Sequence, residues 1–154
     1  MFLYLVQHAE AKREEEDPTR DLSAQGREDI RKVAQFVGQA PVAVNRILHS
    51  GKTRALRTAE ILAAELKPAQ GIAASDGLAP LDDPAIWADR LESLEEDLAL
   101  VGHLPHLARL AGRLTCGAQE PAVINFKMGC LVCLRREAPG RWAVEWMLIP
   151  DLIR

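Results

Sequence analysis

The chain has 154 residues, of which 48% are hydrophobic and 27% charged, a balance typical of one globular domain with a single core. A net charge of −3 argues against nucleic-acid binding, and no apolar run is long enough to cross a membrane. The three cysteines, an odd number, argue against a disulfide framework, and the amino terminus has no signal-peptide pattern. We therefore expect one cytoplasmic domain over residues 1–154.

The first ten residues predict a buried strand that ends at polar side chains. Residues 2–6 form a continuous apolar run of strand formers, which stops at Gln7 and His8. Such a run suits a strand buried on both faces, as in a parallel sheet. Ligands of these sheets bind outside the carboxyl ends of the strands. The sequence therefore places His8 where an open α/β fold carries its chemistry.

Helices and strands alternate along the rest of the chain. After an acidic loop over residues 12–21, Ser23 is a candidate N-cap for a helix over residues 24–37. Further helices are predicted over residues 52–66, 84–96 and 105–114, with Pro105 at the first helical position. Further strands are predicted over residues 46–49, near Ile72, and over residues 98–101, 129–136 and 142–149. This order favours a three-layer α/β/α sandwich, with a mostly parallel sheet and a C-terminal antiparallel hairpin.

Candidate catalytic residues lie at the ends of these strands. Three of the four histidines, His8, His49 and His103, close predicted strands, so two or three of them would meet at one rim of the sheet. We expect a structural role for His49. Arg54 falls in the first turn of the helix over residues 52–66, where free N–H groups and the helix dipole favour an anion. A solvated surface arginine is an equally good interpretation from the sequence alone.

These residue types suit transfer of a phosphoryl group to a histidine. The reaction needs a neutral imidazole nitrogen in line with phosphorus and donors around the equatorial oxygens. His8 is the candidate nucleophile, and Arg54 and His103 are the candidate oxygen ligands. The scheme requires no metal or other cofactor, and the histidines show no recognised metal-ligand spacing.

The order of four short motifs resembles the histidine phosphatase, or phosphoglycerate-mutase-like, superfamily. That family opens with a strand followed by Arg-His-Gly, which corresponds here to Gln7-His8-Ala9. The three later motifs correspond to Leu22-Ser23-x-x-Gly26, Ser50-x-x-x-Arg54-Ala55-x-x-Thr58 and Gly102-His103. Each motif is weak alone, but four in the right order cover the chain from residue 2 to about residue 114. The short length and His103-Leu104-Pro105 look most like the SixA-type phosphohistidine phosphatases.

The resemblance implies a mechanism and a set of phosphate ligands. His8 would be transiently phosphorylated, and Arg54 and His103 would bind and polarise the phosphoryl oxygens. Arg20 would be an additional phosphate contact, and Gln7 takes the place of a family phosphate ligand. The implied partner is a phosphorylated protein that carries phosphohistidine, with phosphate or another oxyanion in the site.

Three departures from the family pattern bear on activity. Gln7 replaces an arginine, and because an amide brings no charge, phosphate affinity would be lower unless Arg20 compensates. Ala9 replaces a glycine, which constrains the turn after His8. Gly77 takes the position of the usual general acid. Nearby aspartates remain as alternative acids, although turn or cap roles are expected for them: Asp76, Asp82 and Asp83.

The missing acid favours one substrate class. A phosphohistidine imidazole, with an unperturbed pKa of about 6.5, can be protonated and leave without help, whereas an alkoxide needs an acid. We therefore expect a metal-independent phosphohistidine phosphatase. Two alternatives stay open: a phosphomonoesterase acting on a small metabolite or phosphoprotein, and a catalytically weak relative that binds phosphate or phosphohistidine.

Overall fold

Six strands and four α-helices alternate along residues 1–154, all of which are described by the computed structural model. The strands are β1 (Phe2–Gln7), β2 (Arg46–His49), β3 (Ile72–Ala74), β4 (Leu98–Gly102), β5 (Leu131–Ala138) and β6 (Arg141–Leu148). The helices are α1 (Ala24–Gly38), α2 (Thr53–Leu66), α3 (Ala85–Ser93) and α4 (His106–Cys116), followed by a 3₁₀ turn at Pro150–Leu152. The sequence therefore predicted every strand and α-helix.

The strands form one sheet in the order β3-β2-β4-β1-β5-β6. The first four are mutually parallel, whereas β5 runs antiparallel to both β1 and β6. The predicted mostly parallel sheet with a C-terminal antiparallel hairpin is confirmed. Gln7 of β1 lies beside Gly102 of β4, and His49 of β2 lies beside Val101. The carboxyl ends of these three strands therefore share one edge of the sheet.

Alternating side chains of the central strands build two cores, one on each face of the sheet. Leu3 and Leu5 of β1 belong to the cluster formed with α3 and α4, whereas Tyr4 and Val6 belong to the cluster formed with α1 and α2. Because side chains of a strand point to opposite faces in turn, a strand between two helical layers is apolar throughout. This explains the unbroken apolar run of β1 and confirms the three-layer sandwich.

All four helices differ from the sequence prediction at one boundary or both, by one to three residues. Helix α3 ends at Ser93, three residues before the predicted end, because Leu94 has an extended backbone. Glu95 pairs with Arg136 of β5 at 2.8 Å, and Glu96 pairs with Arg46 of β2 at 2.6 Å. Helix α4 begins one residue after Pro105, which occupies the N-cap position instead of the first helical position.

Two further sequence predictions concern membranes and cysteines. None of the helices combines the length and the apolar character that crossing a bilayer requires. All three cysteines are free thiols. Cys130 and Cys133 are both buried, and they lie in different core clusters on opposite sides of the sheet. Their spacing along the chain therefore does not bring the two sulfur atoms together.

Candidate active site

The shared edge of β1, β2 and β4 brings His8 and His103 together. The backbone N–H of His8 donates to the carbonyl oxygen of Gly102 at 3.0 Å, which holds the residue after β1 against the end of β4. The imidazole rings of His8 and His103 lie 4.9 Å apart between centroids, with 52° between their planes. Both residues are buried, with 7% and 2% of their surfaces exposed.

The hydrogen bonds of His8 fix which ring nitrogen is free. Its Nδ1 lies 2.7 Å from the carbonyl oxygen of Ala9. Because a carbonyl oxygen can only accept, Nδ1 carries the proton, and Nε2 of the neutral ring keeps its lone pair. Burial lowers the pKa of His8 to about 4; the hydrogen bond to Ala9 opposes this shift, and the charges of Arg54 and Arg20 add to it. At neutral pH the ring is therefore neutral, with an unprotonated Nε2.

Two arginines bring positive charge to this neutral histidine. Arg54 lies in the first turn of α2, forms no ion pair, and its buried Nε has no hydrogen-bond partner. Burial and the nearby Arg20 lower the pKa of the Arg54 guanidinium. Arg20 has a positive φ of 50°, and its Nε donates to the carbonyl oxygen of Lys12 at 3.1 Å. The loop that precedes α1 thus brings a second guanidinium beside His8.

His103 and Gln7 also present polar atoms that have no partner in the protein. His103 Nε2 forms a 2.7 Å hydrogen bond with Ser50 Oγ, whereas its buried Nδ1 has none. Burial, followed by His8 and Arg54, lowers the pKa of His103 to about 3. The buried Oε1 of Gln7 is also unpartnered. Because buried polar groups are rarely left unpaired in proteins, the unpartnered Nδ1 of His103 beside His8 is consistent with a site that is completed by a ligand.

The motif Leu22-Ser23-x-x-Gly26 anchors the segment that follows His8. Ser23 caps α1 by accepting a hydrogen bond from the Gly26 N–H at 3.0 Å, and its own backbone N–H donates to the Glu10 carbonyl oxygen at 2.9 Å. A side chain at Gly26 would place Cβ only 2.1 Å from that oxygen. Glycine is therefore required for the first turn of α1 to contact the backbone two residues after His8.

Two side chains in the motif around Arg54 support the site, although the sequence analysis assigned neither a role. Thr58 Oγ1 accepts the backbone N–H of Ala9 at 3.0 Å and donates to the carbonyl oxygen of Arg54 at 2.8 Å. Ser50 holds the ring of His103. The spacing of Arg54 and Thr58 was the available signal for Thr58, since positions four apart share one side of a helix. Ser50 lies in the turn before α2, where no such periodicity applies.

The three aspartates considered as general acids are bound elsewhere. Asp76 pairs with Arg90 at 2.9 Å and has a side chain 81% exposed. Asp82 and Asp83 each accept a backbone N–H of the surrounding turn at 2.9 Å. No carboxylate is among the groups that shift the pKa of His8. The expected turn and cap roles therefore describe these side chains.

The other two histidines are buried in different surroundings. His49 Nδ1 accepts the backbone N–H of Gly51 at 3.1 Å, which closes the turn between β2 and α2. His106, at the start of α4, is fully buried and neither ring nitrogen has a partner. Burial lowers the pKa of both rings. No group of three or more His, Cys, Asp or Glu side chains is arranged to hold a metal ion.

Comparison with known proteins assigns this arrangement to a family. The model of the histidine phosphatase superfamily (branch 1) matches residues 3–82, more than half of the chain. The chain belongs to the histidine phosphatase superfamily. An uncharacterized protein of Picosynechococcus sp. (strain ATCC 27264 / PCC 7002 / PR-6) is 36% identical over 146 residues, which cover 90% of this chain and 87% of that protein. The motifs around His8 and Arg54 lie within the matched residues.

Solved structures of this superfamily show the same fold. The protein histidine phosphatase SixA complexed with tungstate matches with a TM-score of 0.87 at 22% identity, and covers 99% of each chain. The putative phosphohistidine phosphatase SixA from Agrobacterium tumefaciens matches with a TM-score of 0.79 at 20% identity, and covers 97% of each chain. The fold is therefore of the SixA type, and membership in the superfamily supports a phosphatase activity.

Proposed function

We propose that the protein is a metal-independent phosphohistidine phosphatase in which His8 is the nucleophile. The observation that carries the proposal is the pairing of a neutral His8, with its Nε2 lone pair free, and an unpaired Arg54. A nucleophilic nitrogen next to a cation with no counterion suits the attack on an anionic phosphoryl group. The guanidinium of Arg20 adds a second positive charge near His8.

In the first step, His8 Nε2 attacks phosphorus while the bond from phosphorus to the substrate nitrogen breaks. The electron pair of that bond goes to the departing imidazole, which leaves neutral when it has been protonated beforehand. Arg54, Arg20 and the Nδ1 side of His103 bind the equatorial oxygens, where charge is spread in the transition state. Gln7 contributes hydrogen bonding without charge.

In the second step, a water oxygen attacks the phosphorus of the His8 phosphoenzyme. The bond between phosphorus and Nε2 breaks, its electron pair returns to the ring, and the water proton passes to solvent as inorganic phosphate forms. The hydrogen bond from Nδ1 to the Ala9 carbonyl oxygen holds the ring in one orientation through both steps. Thr58 and Glu10 fix the backbone that carries this carbonyl.

The surroundings of His8 support phosphohistidine over a phosphomonoester. Asp76, Asp82 and Asp83 are held by hydrogen bonds within their own segment, so none is positioned as a general acid for an alkoxide. An imidazole leaving group, with an unperturbed pKa of about 6.5, needs no such acid. We therefore propose a phosphorylated protein as the substrate. The three free thiols fit a reducing compartment, so we place the reaction in the cytoplasm.

One feature favours a second candidate, a relative that binds phosphate or phosphohistidine with little turnover. Gln7 stands where the family motif has arginine, and its buried Oε1 is an acceptor that would face an anion without attraction. The binding candidate keeps Arg54, Arg20 and His103 as phosphate ligands and differs in the rate of the chemical step.

Phosphate release from a phosphohistidine protein and from an aryl phosphate separates these functions. We expect preferential cleavage of the phosphohistidine, and we expect His8→Ala to abolish it. Cleavage of the aryl phosphate alone would contradict the substrate assignment and favour a phosphomonoesterase. Binding of phosphate without cleavage of either substrate would favour the binding candidate.

A further inference from the structure

Ser50 joins the end of β2 to His103 at the end of β4. Its Oγ lies 2.7 Å from His103 Nε2, across 53 positions of sequence. The backbone N–H of Lys52 donates to the same Oγ at 3.3 Å. The hydroxyl therefore has two hydrogen-bond partners, one of which is a backbone donor.

The hydroxyl proton of Ser50 indicates which ring nitrogen of His103 is protonated. Oγ accepts the Lys52 N–H, and of its two hydrogen-bond partners in the protein only His103 Nε2 can accept the hydroxyl proton. Nε2 accepts this proton only when it carries none of its own. Ser50 thus favours the tautomer in which Nδ1 of His103 is protonated.

The protonated Nδ1 is the ring atom that lacks a partner. It is buried, and it belongs to a ring whose centroid is 4.9 Å from that of His8. A buried N–H with no acceptor is unfavourable, and a bound oxyanion beside His8 would satisfy it. The opposite tautomer would place a lone pair at this position, which repels an anion and cannot donate to it.

We propose that Ser50 is a positioning residue that holds His103 as the Nδ1–H tautomer, so that His103 donates to an oxyanion seated on His8. The effect on turnover rests on the proposed function, whereas the tautomer and its effect on anion binding do not. The role differs from simple packing, because it depends on the hydroxyl proton of Ser50.

Two variants and one control test the effect of the Ser50 hydroxyl proton. Ser50→Ala removes the hydroxyl, and Ser50→Thr retains it. Ser75→Ala is the matched control, since Ser75 follows β3 as Ser50 follows β2, and its Oγ donates to the Asp76 carbonyl oxygen at 2.9 Å. The Ser75 side chain forms no hydrogen bond with a histidine, so its substitution removes a comparable hydrogen bond that does not involve His103.

Nitrogen-15 NMR of the His103 ring at neutral pH tests the inference, with the signals assigned by comparison with His103→Asn. We expect a protonated Nδ1 and an unprotonated Nε2 in the wild type, Ser50→Thr and Ser75→Ala. In Ser50→Ala we expect the Nε2–H tautomer to appear. We also expect the affinity of Ser50→Ala for inorganic phosphate to fall. A protonated Nε2 in the wild type, or an unchanged tautomer in Ser50→Ala, would overturn the proposal.

Kinetics separate this inference from the proposed function. We expect kcat of Ser50→Ala on phosphohistidine protein to fall at least about tenfold, short of the roughly 10²–10³-fold loss on deletion of an oxyanion donor. A wild-type protein that releases no phosphate, but whose His103 tautomer depends on Ser50, would refute the phosphatase activity and leave the positioning role intact. A normal kcat together with an unchanged tautomer in Ser50→Ala would refute the positioning role alone.

Discussion

Arginines occupy two kinds of surroundings in this protein. At the far side of the sheet, Arg136 of β5 has a largely buried side chain that pairs with Glu95 at 2.8 Å and donates to the Leu91 carbonyl oxygen at 3.0 Å. Arg46 of β2 pairs with Glu96. At the sheet edge that carries His8, Arg54 is partly buried with neither an ion pair nor a partner for its Nε.

The difference teaches what each arginine is for. A buried charge that lacks a partner lowers stability, whereas a paired one that is well hydrogen-bonded supports the fold. Perturbed, unpaired charges gather at functional sites because their partner is the substrate. Arg136 therefore serves the structure, and the contrast supports the proposed role of Arg54 as a ligand of the substrate anion.

Removal of the nucleophile should give the largest effect. We expect His8→Ala to lower kcat by roughly 10⁴-fold or more, the scale seen when a nucleophile is deleted from an enzyme. Binding of inorganic phosphate should persist, because Arg54 and His103 remain. His49→Gln is the control, a buried histidine on the same edge whose Nδ1 bonds to Gly51. Equal losses in the two variants, measured by phosphate release, would contradict the assignment.

The two arginines should separate activity from stability. We expect Arg54→Ala to lower kcat/KM by about 10²–10³-fold, as for loss of a preorganised oxyanion donor. The urea concentration at which this variant unfolds, measured without phosphate, should stay unchanged or rise. Arg136→Ala should unfold more easily by about 1–3 kcal/mol and leave kcat/KM unchanged, because a buried carbonyl loses its charged donor. Similar changes of kcat/KM and of stability in both variants would contradict the assignment of different roles to Arg54 and Arg136.

The contact between α1 and the segment after His8 offers a test through packing. In Gly26→Ala the new Cβ would lie 2.1 Å from the Glu10 carbonyl oxygen, so backbone must shift. We expect a loss of about 1–3 kcal/mol in unfolding free energy, together with lower activity. Gly38→Ala, whose new Cβ would come no closer than 3.1 Å to its nearest neighbour, Glu65 Cβ, should lose less of both. Equal losses of stability and activity in Gly26→Ala and Gly38→Ala would refute the anchoring role of Gly26.

The histidines predict how activity and stability depend on pH. The pKa of His8 is lowered to about 4 and that of His103 to about 3, both below the unperturbed 6.5. At pH values between the folded and the unperturbed pKa, the unfolded chain binds more protons than the folded one. The stabilisation is therefore complete above about pH 6.5 and is lost as the pH falls toward 4. We expect kcat/KM to fall through a separate ionisation near pH 4, as His8 gains a proton. Activity that disappears only in step with unfolding, followed by circular dichroism, would oppose this account.

The smallest effect is expected from restoring the family charge. In Gln7→Arg a charged donor replaces a neutral amide, and charge-assisted hydrogen bonds are roughly twice as strong. We expect inorganic phosphate to bind the variant a few-fold more tightly than the wild type. In the absence of phosphate the variant should unfold more easily, because the new arginine adds a third cation near Arg54 and Arg20. Calorimetric titration and urea unfolding measure the two effects. Weaker phosphate binding would show that Gln7 does not face the anion.

The fold was predictable because its signals are local. The apolar runs of β1 and β4 and the helical stripe of α2 are visible within short windows of sequence, and their alternation predicts the layers. The end of α3 was not predictable, because Leu94, where the backbone becomes extended, is neither a glycine nor a proline.

The site was predictable only in part. Strand ends indicate His8 and His103, which the structure brings together. The bond between Ser50 and His103 spans 53 positions, and the position of Arg20 depends on a residue with positive φ in an irregular loop. Neither feature has a periodic signal, so both require the folded chain.

Trapping the phosphoenzyme tests the central claim most directly. After rapid mixing with a phosphohistidine protein and quenching under alkaline conditions, mass spectrometry locates phosphate on the chain. We predict a transient phosphoryl group on Nε2 of His8, formed and lost at rates that account for phosphate release, and absent from His8→Ala. Rapid phosphate release with no phosphoryl group on His8 at any time would contradict the account.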